Sequence, residues 1–514
     1  MAKINTTPAE TRLLTTLIYT SFAFGVFQLI LQASPVVVIL SVLSGLIAIL
    51  PCFFYGLGRT VGVLYLMVWF QVSFGALLTK SMLLQPLDSN LFSPVFSHLI
   101  LLVGAIAFSA SALLAYTFTP LHKDLIRPEL NPRRLTALAA IFAGLWASAM
   151  IVGKLGANGA AIAVFLRNYI FLAFVCETAA TILRSNGTRT FSFFGAALFA
   201  VTIAFSISVN SKAGILGIGV CYFLTLLAFG RRPSLRVVGA LVPAFAILTI
   251  AINPAIHVVR AQRDRLNPFE IMAATTSTAV GILIGDEDTV AKVDSLKRQE
   301  FQAGYNLYRN RYLGRSDVWF DRFILTGYID AITRRVTYDG PFFGWNYILS
   351  QTAEALPRQL YGATKNRYSS GARITRTLGL TERDAAVSPT VPLPIELFVA
   401  AGFPAILILG IPTLAFAISA LNLVANTFRR NVWSIGFLGI YGYFFAVQTY
   451  SGYIFFTLRQ IPTDAIVITL AGVLTSIIIG SVTERGGGER GGDPKGGHPS
   501  RSFSPARRGA RPLN

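Results

Sequence analysis

Residues 35–56 read PVVVILSVLSGLIAILPCFFYG, an apolar stretch without a single charged side chain. The hydrocarbon core of a bilayer is about 30 Å thick, and a helix needs about 20 mostly apolar residues to cross it. The stretch therefore predicts a membrane-spanning helix. Similar stretches recur along the chain, so their number and spacing decide the fold.

The composition supports a membrane protein. Of 514 residues, 53% are apolar and only 13% are charged, and the mean hydropathy is +0.59, unlike the values of soluble globular domains. The predicted spans are 13–33, 35–56, 60–78, 95–116, 135–153, 159–183, 190–209, 213–229, 236–256, 391–420, 432–455 and 462–482. We expect an all-α polytopic membrane protein with about 12 transmembrane helices. The stretch 391–420 is longer than one span, so we expect it to tilt, to kink or to begin with a re-entrant piece.

Basic residues alternate between successive loops. Lys and Arg near helix ends resist translocation, so their distribution predicts orientation. With a cytoplasmic N terminus, the cytoplasmic loops hold Lys3, Arg12, Arg59, Lys123, Arg127, Arg133, Arg134, Arg184, Arg189, Arg231, Arg232, Arg236, Arg429 and Arg430. The short outer loops hold only Lys80, Lys154, Lys212 and Arg459. This alternation predicts that both termini are cytoplasmic.

The predicted spans divide the chain into four parts. Helices 1–9 occupy residues 1–256, a large and partly helical periplasmic loop occupies 257–390 between helices 9 and 10, and helices 10–12 occupy 391–482. Within the loop, residues 315–336 have apolar positions at helical spacing, which predicts a helix lying on an apolar surface. The tail 483–514 is rich in Gly and Arg, so we expect it to be disordered and attracted to anionic lipid, with no nucleic-acid partner.

Three cysteines and four histidines give no sign of a metal site. Cys52, Cys176 and Cys221 lie in apolar segments without a C-x-x-C spacing, so we interpret them as small core residues. His98 and His257 have no partners at metal-binding spacing, and the chain has no phosphate-binding loop. We expect no metal and no cofactor.

Ionisable residues inside spans are costly, so each is a functional candidate. Arg167 is interpreted as a ligand-binding residue or as one side of an interhelical bond, and Glu177 as a residue snorkelling to the cytoplasmic surface. Glu396 follows SPTVPLP (388–394), whose prolines predict a broken helix start. Its carboxylate is expected either to face a site or to be stabilised by the helix dipole.

Basic residues also cluster near the outer surface. Lys212 lies in the turn NSKAG, Arg260 and Arg263 follow the ninth helix, and Arg459 lies between the last two helices. Such residues suit an anionic head group, because Arg offers bidentate donors to phosphate and Lys a point charge. The alternative is that each is a solvated loop residue.

Two segments resemble a known family. GPFFGWNYILSQTAEALPRQLYGATKNR (340–367) and SPTVPLPIELFVAAGFPAILILG (388–410) are similar, in that order, to segments of the Wzy-type oligosaccharide repeat-unit polymerases. The motif match covers Pro357, Arg358, Lys365, Glu396 and Gly402. The turn at 210–214 resembles the family's S-x-S-R-(G) turn, but Lys212 stands where Arg is commoner.

The resemblance implies a metal-independent glycosyltransferase that joins undecaprenyl-diphosphate-linked oligosaccharide units at the periplasmic face of the bacterial inner membrane. A chain-length regulator and a flippase are the implied protein partners. On this interpretation Glu396 is the general base, Asp321 a second candidate base, and Arg358 a third catalytic candidate. Phosphate or sugar contacts are expected from Lys212, Arg260, Arg263, Lys365, Arg167 and Arg459.

Two other functions stay open. An O-antigen ligase, or another lipid-linked glycosyltransferase, would share the topology and the carrier but use a different acceptor. A flippase for the same lipid-linked units belongs to another class, and such transporters usually have short loops and two related halves. The long segment 257–390 and the lack of visible internal repetition favour an enzyme.

Overall fold

The computed structural model describes residues 6–119, 124–126, 129–152, 163, 165–208, 212–231, 239, 243, 246–260, 266, 268–302, 312–313, 324–339, 342–356, 370–380, 391–442 and 445–487. These residues form helices, with one isolated bridge between Arg59 and Thr427 and no β-strand.

The helices of the first half are α1 (Pro8–Ile30), α2 (Pro35–Tyr55), α3 (Thr60–Met82), α4 (Pro94–Phe118), α5 (Pro132–Val152), α6 (Tyr169–Arg184), α7 (Phe193–Ser208) and α8 (Lys212–Ala228). The helices that follow are α9 (Asn253–Arg260), α10 (Pro268–Ile284), α11 (Glu287–Gln302), α12 (Thr326–Arg334), α13 (Trp345–Ala355) and α14 (Ser370–Thr377). The last three are α15 (Leu393–Ala425), α16 (Val432–Tyr441) and α17, which runs without interruption through Tyr450–Ile479 and ends at Gly487.

Seven of the described helices are long and apolar enough to cross a membrane: α1, α2, α3, α4, α5, α15 and α17. Shorter apolar helices include α7, most of α8 and α10, and α16. The chain is therefore an all-α protein with several candidate membrane spans. The expected total of about 12 spans stays a prediction.

Prolines start several of the long helices. Pro8, Pro35 and Pro94 lie in the first turns of α1, α2 and α4, where the missing N–H would have had no intrahelical partner. Thr7 and Glu10 complete a capping box at the start of α1. These local signals agree with the apolar stretches that predicted the helices.

One end of the bundle gathers the arginine-bearing loops. Phe428 N–H donates to the Gly58 carbonyl at 2.9 Å, and Arg430 N–H to the Ala228 carbonyl at 3.1 Å. Arg429 pairs with Glu10 at 2.9 Å. These loops, here called the arginine-rich end, are among those that the charge alternation assigned to one side. The connections 31–34 and 83–93 lie at the opposite end.

Lys80 differs from its expected place in a short outer loop. It lies inside α3 and is completely buried. Its ammonium donates to the Ser89 carbonyl at 3.1 Å and to Ser89 Oγ at 2.8 Å, and lies 4.3 Å from the centroid of the Tyr312 ring. The prediction was wrong because α3 continues past residue 78, so this lysine faces the 83–93 connection.

α12 falls within the predicted helix 315–336, of which residues 314–323 lie outside the described part. Its residues Thr326 to Thr333 are buried. Asp330 accepts hydrogen bonds from the Phe92 and Ser93 N–H groups, both at 2.7 Å. Its carboxylate thus satisfies backbone donors at the start of α4, which a helix itself leaves unpaired.

The segment expected to form a hydrophilic loop contains an apolar helix. α10 packs against α7 and α9, and Ala251, Ala255 and Ala279 form a small buried cluster there. Small side chains allow helix backbones to approach closely. The outer face of α10 remains exposed and apolar, with Phe269 at 78% exposure.

Arg459 also lies elsewhere than expected. It was predicted to lie between two helices, but it lies inside α17, in the π-helical turn Phe456–Gln460. Its guanidinium carbon lies 4.9 Å from the centroid of the Phe455 ring. The last two predicted spans thus correspond to the short helix α16, the non-helical residues 445–449 and the long helix α17, in which the π-turn carries the helix through Arg459 and Pro462.

Candidate functional site

α15 is broken shortly after its beginning. Ala401 has φ −153° and ψ 28°, and Gly402 has φ 75° and ψ −165°. The conformation of Gly402 is accessible almost only to glycine. The expected break thus occurs after Glu396 rather than before it, because Pro392 is the N-cap and Pro394 fits in the first helical turn.

The break turns the chain back on itself. A methyl carbon added at Gly410 would lie 3.3 Å from Leu393 Cδ2 and 3.5 Å from Leu397 Cδ1. In a straight helix, 13 to 17 residues would separate these positions by about 20–25 Å. Residues 393–400 are therefore a half-helix that packs antiparallel on the remainder of α15. The chain thus kinks and reverses its direction here, and its re-entry into a membrane stays a prediction.

The hairpin is inserted beside α4. Phe96 contacts Phe398 and Phe403 at centroid distances of 5.6 and 5.5 Å. A methyl carbon at Gly104 would lie 2.8 Å from Pro394 Cγ. Phe96 and Gly104 are about 12 Å apart along α4, so the half-helix begins inside the bundle and its tip approaches the start of α4.

Other segments cap both ends of the half-helix. The Leu393 N–H donates to the Gln448 carbonyl at 2.8 Å. The Phe343 N–H donates to the Val399 carbonyl at 3.0 Å, and the Gly344 N–H to the Ala400 carbonyl at 2.8 Å. Irregular backbone at membrane depth needs such partners because no lipid group can replace them. The segment before α13 is thereby fixed to the membrane-embedded hairpin.

Glu396 lies in this half-helix and is 1% exposed. Its Oε2 accepts a hydrogen bond from the Tyr450 N–H at 2.6 Å, at the first turn of α17. Its Oε1 accepts one from the Tyr347 hydroxyl at 3.0 Å. The carboxylate therefore caps the N terminus of another helix, where the dipole stabilises negative charge, and also faces α13.

α13 and α14 form the other wall of the site. Arg373 pairs with Glu354 at 3.0 Å, and its guanidinium carbon lies 5.7 Å from the centroid of the Tyr347 ring. Tyr347, Gln351 and Glu354 are four and three residues apart, so they share one face of α13. The site thus joins two carboxylates, an arginine, a tyrosine and a glutamine.

Tyr347 connects the two walls. Burial, together with the charge of the Glu396 carboxylate, raises the pKa of the Tyr347 hydroxyl well above its usual value. The hydroxyl is therefore protonated at neutral pH and serves as the hydrogen-bond donor to Glu396. A proton acceptor and a proton donor meet in one buried contact.

No known family, curated protein or solved structure matches this chain. Interpretation of the site therefore depends on its own chemistry and on the motifs within the sequence. Within the described residues, no group of three His, Cys, Asp or Glu side chains is arranged to hold a metal ion. The described side chains of the site supply carboxylate, hydroxyl, amide and guanidinium groups.

Several predicted site residues lie outside the described part of the chain. Arg358, Lys365, Asp321 and Arg263 are among them. Lys212 is the first residue of α8 and Arg260 the last of α9, but their side chains lie outside the described set. Among the nine predicted residues, the structure places Glu396 in the site.

Arg167 and Glu177 lie in different surroundings from those expected. Arg167 is exposed in a turn just before α6 rather than inside a span. Glu177 is buried, pairs with Arg184 at 2.7 Å, and accepts hydrogen bonds from Thr136 at 2.9 Å and Ser192 at 2.6 Å. The snorkelling interpretation was wrong, because these partners replace the water that an isolated carboxylate would require.

A second buried carboxylate was missed. Asp464 is 4% exposed and accepts hydrogen bonds from the hydroxyls of Tyr169 at 2.8 Å and Tyr441 at 3.0 Å. Gln460 donates to both of its oxygens, at 3.1 and 3.0 Å. Asp464 lies near the start of the predicted span 462–482, and the sequence analysis did not single it out. The apolar residues on both sides of it were the available signal.

Proposed function

We propose that this chain is a membrane-embedded glycosyltransferase that polymerises oligosaccharide units carried on undecaprenyl diphosphate. Two observations support the proposal. The segments 340–367 and 388–410 resemble those of the Wzy-type polymerases, and both contribute to the Glu396 site: Tyr347 comes from the first segment and Glu396 from the second. The Glu396 site is buried and polar, and it lies between the half-helix of α15 and the helices α13 and α14. Such a site suits a substrate that has a lipid part and a sugar part.

The chemistry requires a new glycosidic bond. The acceptor hydroxyl oxygen attacks the anomeric carbon of the donor, and the bond from that carbon to the diphosphate oxygen breaks. In our proposal Tyr347 takes the acceptor proton while passing its own to Glu396. The leaving diphosphate keeps the electron pair, and Arg358 and Lys365 are proposed to stabilise its charge.

The proposed orientation follows from the charge alternation. We place the arginine-rich end in the cytoplasm of a bacterial cell and the Glu396 site toward the periplasm. A lipid-linked unit would then reach the site after a flippase has moved it across the inner membrane. A ligase would share this orientation and differ only in its acceptor.

The proposal is tested by deleting the gene in its host and analysing lipid-linked intermediates and surface polysaccharide. We expect single lipid-linked units to accumulate outside the cytoplasm, and neither Glu396→Gln nor Arg358→Ala to restore the polymer at normal expression. Glu10→Gln, at the arginine-rich end, is the control and should restore it.

Three other results would contradict the proposal. Units trapped on the cytoplasmic face would indicate a flippase, and full-length polymer left on its lipid carrier would indicate a ligase. Unchanged surface polysaccharide would exclude all three functions.

A further inference from the structure

Two buried N–H donors in the Glu396 site have no acceptor among the described residues. Gln351 is 1% exposed, and among the described residues its Nε2 has no hydrogen-bond partner; the same holds for the buried Nε of Arg373. Leaving a buried donor unpaired is costly, so native structures rarely contain two in one place without a reason. A bound ligand with acceptor oxygens would satisfy both.

The two donors lie on one surface. Arg373 reaches across α13 from the Tyr347 ring to Glu354, with the distances given above. Gln351 lies between these two contact points on the same helical face. The other edge of this surface is the Tyr347 hydroxyl, which donates to Glu396. A ligand on the donors would thus lie beside the proposed reacting groups.

The charges at this surface indicate a neutral ligand. Glu354 pairs with Arg373 directly and neutralises its charge. This pair carries no net charge, and a diphosphate here would meet the carboxylates of Glu354 and Glu396. Sugar hydroxyls, in contrast, accept hydrogen bonds without adding charge, and they can also donate to the glutamates.

We propose that Gln351 Nε2 and Arg373 Nε bind hydroxyl oxygens of the acceptor sugar and hold it against the Tyr347–Glu396 pair. That the sugar is an acceptor rests on the proposed function, whereas the sugar site itself rests on the unpaired donors. Gln351 is then a residue that determines acceptor specificity, and the phosphate contacts lie elsewhere.

The test uses the purified full-length chain in lipid nanodiscs and saturation-transfer NMR. One probe is the phosphate-free oligosaccharide repeat released by hydrolysis from the host polysaccharide, and the other is undecaprenyl diphosphate without sugar. Gln351→Leu should weaken oligosaccharide binding roughly tenfold, the effect of about one hydrogen bond, and leave undecaprenyl diphosphate binding unchanged. Its melting temperature should not fall, because an unpaired donor is removed.

A matched control is Gln28→Leu. Gln28 is also fully buried, but its Nε2 donates to Ser81 Oγ at 2.9 Å, so this variant should melt earlier and bind the oligosaccharide normally. If Gln351→Leu behaves like the control, Gln351 is structural and the proposal is wrong. If it weakens undecaprenyl diphosphate binding instead, the donors bind phosphate and the sugar assignment is wrong.

The two proposals fail in different ways. Oligosaccharide binding that depends on Gln351, in a host whose deletion strain still makes polymer, would support the sugar site and contradict the polymerase. Loss of polymer in the deletion strain, with no oligosaccharide binding to the wild-type chain, would support the polymerase and contradict the sugar site.

Discussion

The carboxylate of Asp330 and the backbone N–H of Ser93 are joined by a hydrogen bond of 2.7 Å. The same carboxylate accepts from Ser97 Oγ at 2.9 Å, so the N terminus of α4 depends on a residue of the segment 257–390. This contact fixes α12 to the bundle beside the hairpin that carries Glu396.

Removing that carboxylate should loosen the attachment. We expect Asp330→Ala to destabilise the folded chain by about 2–4 kcal/mol, because buried donors lose a charged acceptor. Thermal unfolding in detergent, with limited proteolysis of the α12 region, measures the effect. Asp286→Ala is the control: Asp286 is exposed and accepts from Thr289 N–H at 3.1 Å within its own turn. Equal melting temperatures for the two variants would show that the Asp330 contact is unimportant.

Gly402 determines the shape of the hairpin. With φ 75° and ψ −165°, an alanine there should cost about 1–3 kcal/mol and displace the half-helix 393–400. Gly144→Ala is a suitable comparison, because Gly144 is helical with open space where a methyl group would go, and alanine favours helix by roughly 0.5–1 kcal/mol. We expect the melting temperature to fall for Gly402→Ala and to rise slightly for Gly144→Ala. If Gly402→Ala leaves the melting temperature and polymer formation unchanged, the conformation of Gly402 does not determine the shape of the hairpin.

The sequence predicted the parts of this fold that depend on local composition. Apolar stretches located α1 to α5, and the excess length of 391–420 predicted a tilt, a kink or a re-entrant piece, of which the structure shows a kink. Glu396 was found because its carboxylate is unusual in an apolar segment. These inferences rest only on the unfavourable free energy of exposing polar groups to lipid. That free energy depends on the composition of each segment, so it can be judged from the sequence of the segment alone.

The other residues of the site depend on long-range contacts. Tyr347 reaches Glu396 only because Gly402 reverses the chain and because Phe343 and Gly344 pair with the half-helix. Lys80 was misplaced because α3 continues past residue 78, and its buried contact with Tyr312, far away in sequence, could not be read from one segment. No periodicity in a single segment indicates which distant side chain will satisfy a buried charge.

The two contacts of Glu396 can be separated by substitution. Glu396→Ala removes the acceptor of both Tyr450 N–H and Tyr347 hydroxyl, and we expect a loss of about 2–3 kcal/mol in unfolding free energy. Glu396→Gln keeps one carbonyl oxygen for the Tyr450 N–H and should lose less than half as much. Both variants should fail to make polymer if Glu396 accepts the proton. Wild-type polymer levels with Glu396→Gln would instead limit Glu396 to the capping of α17.

Asp464 offers a prediction about how the helices around the site are held together. Its carboxylate joins α17 to Tyr169 of α6 and to Tyr441 at the end of α16, and the segment after α16 supplies the Gln448 carbonyl that caps the half-helix of Glu396. Tyr169→Phe and Tyr441→Phe should each destabilise the chain by about 1.5–3 kcal/mol, the range for hydrogen bonds to a charged group. In double-mutant cycles with Asp464→Asn, each tyrosine should show a coupling energy of at least about 0.5 kcal/mol, measured by thermal unfolding.

Tyr441→Phe should also reduce polymer formation more than Tyr169→Phe, because only α16 leads directly into the capping segment. Additive effects of the substitutions would mean that the carboxylate does not hold the three helices together.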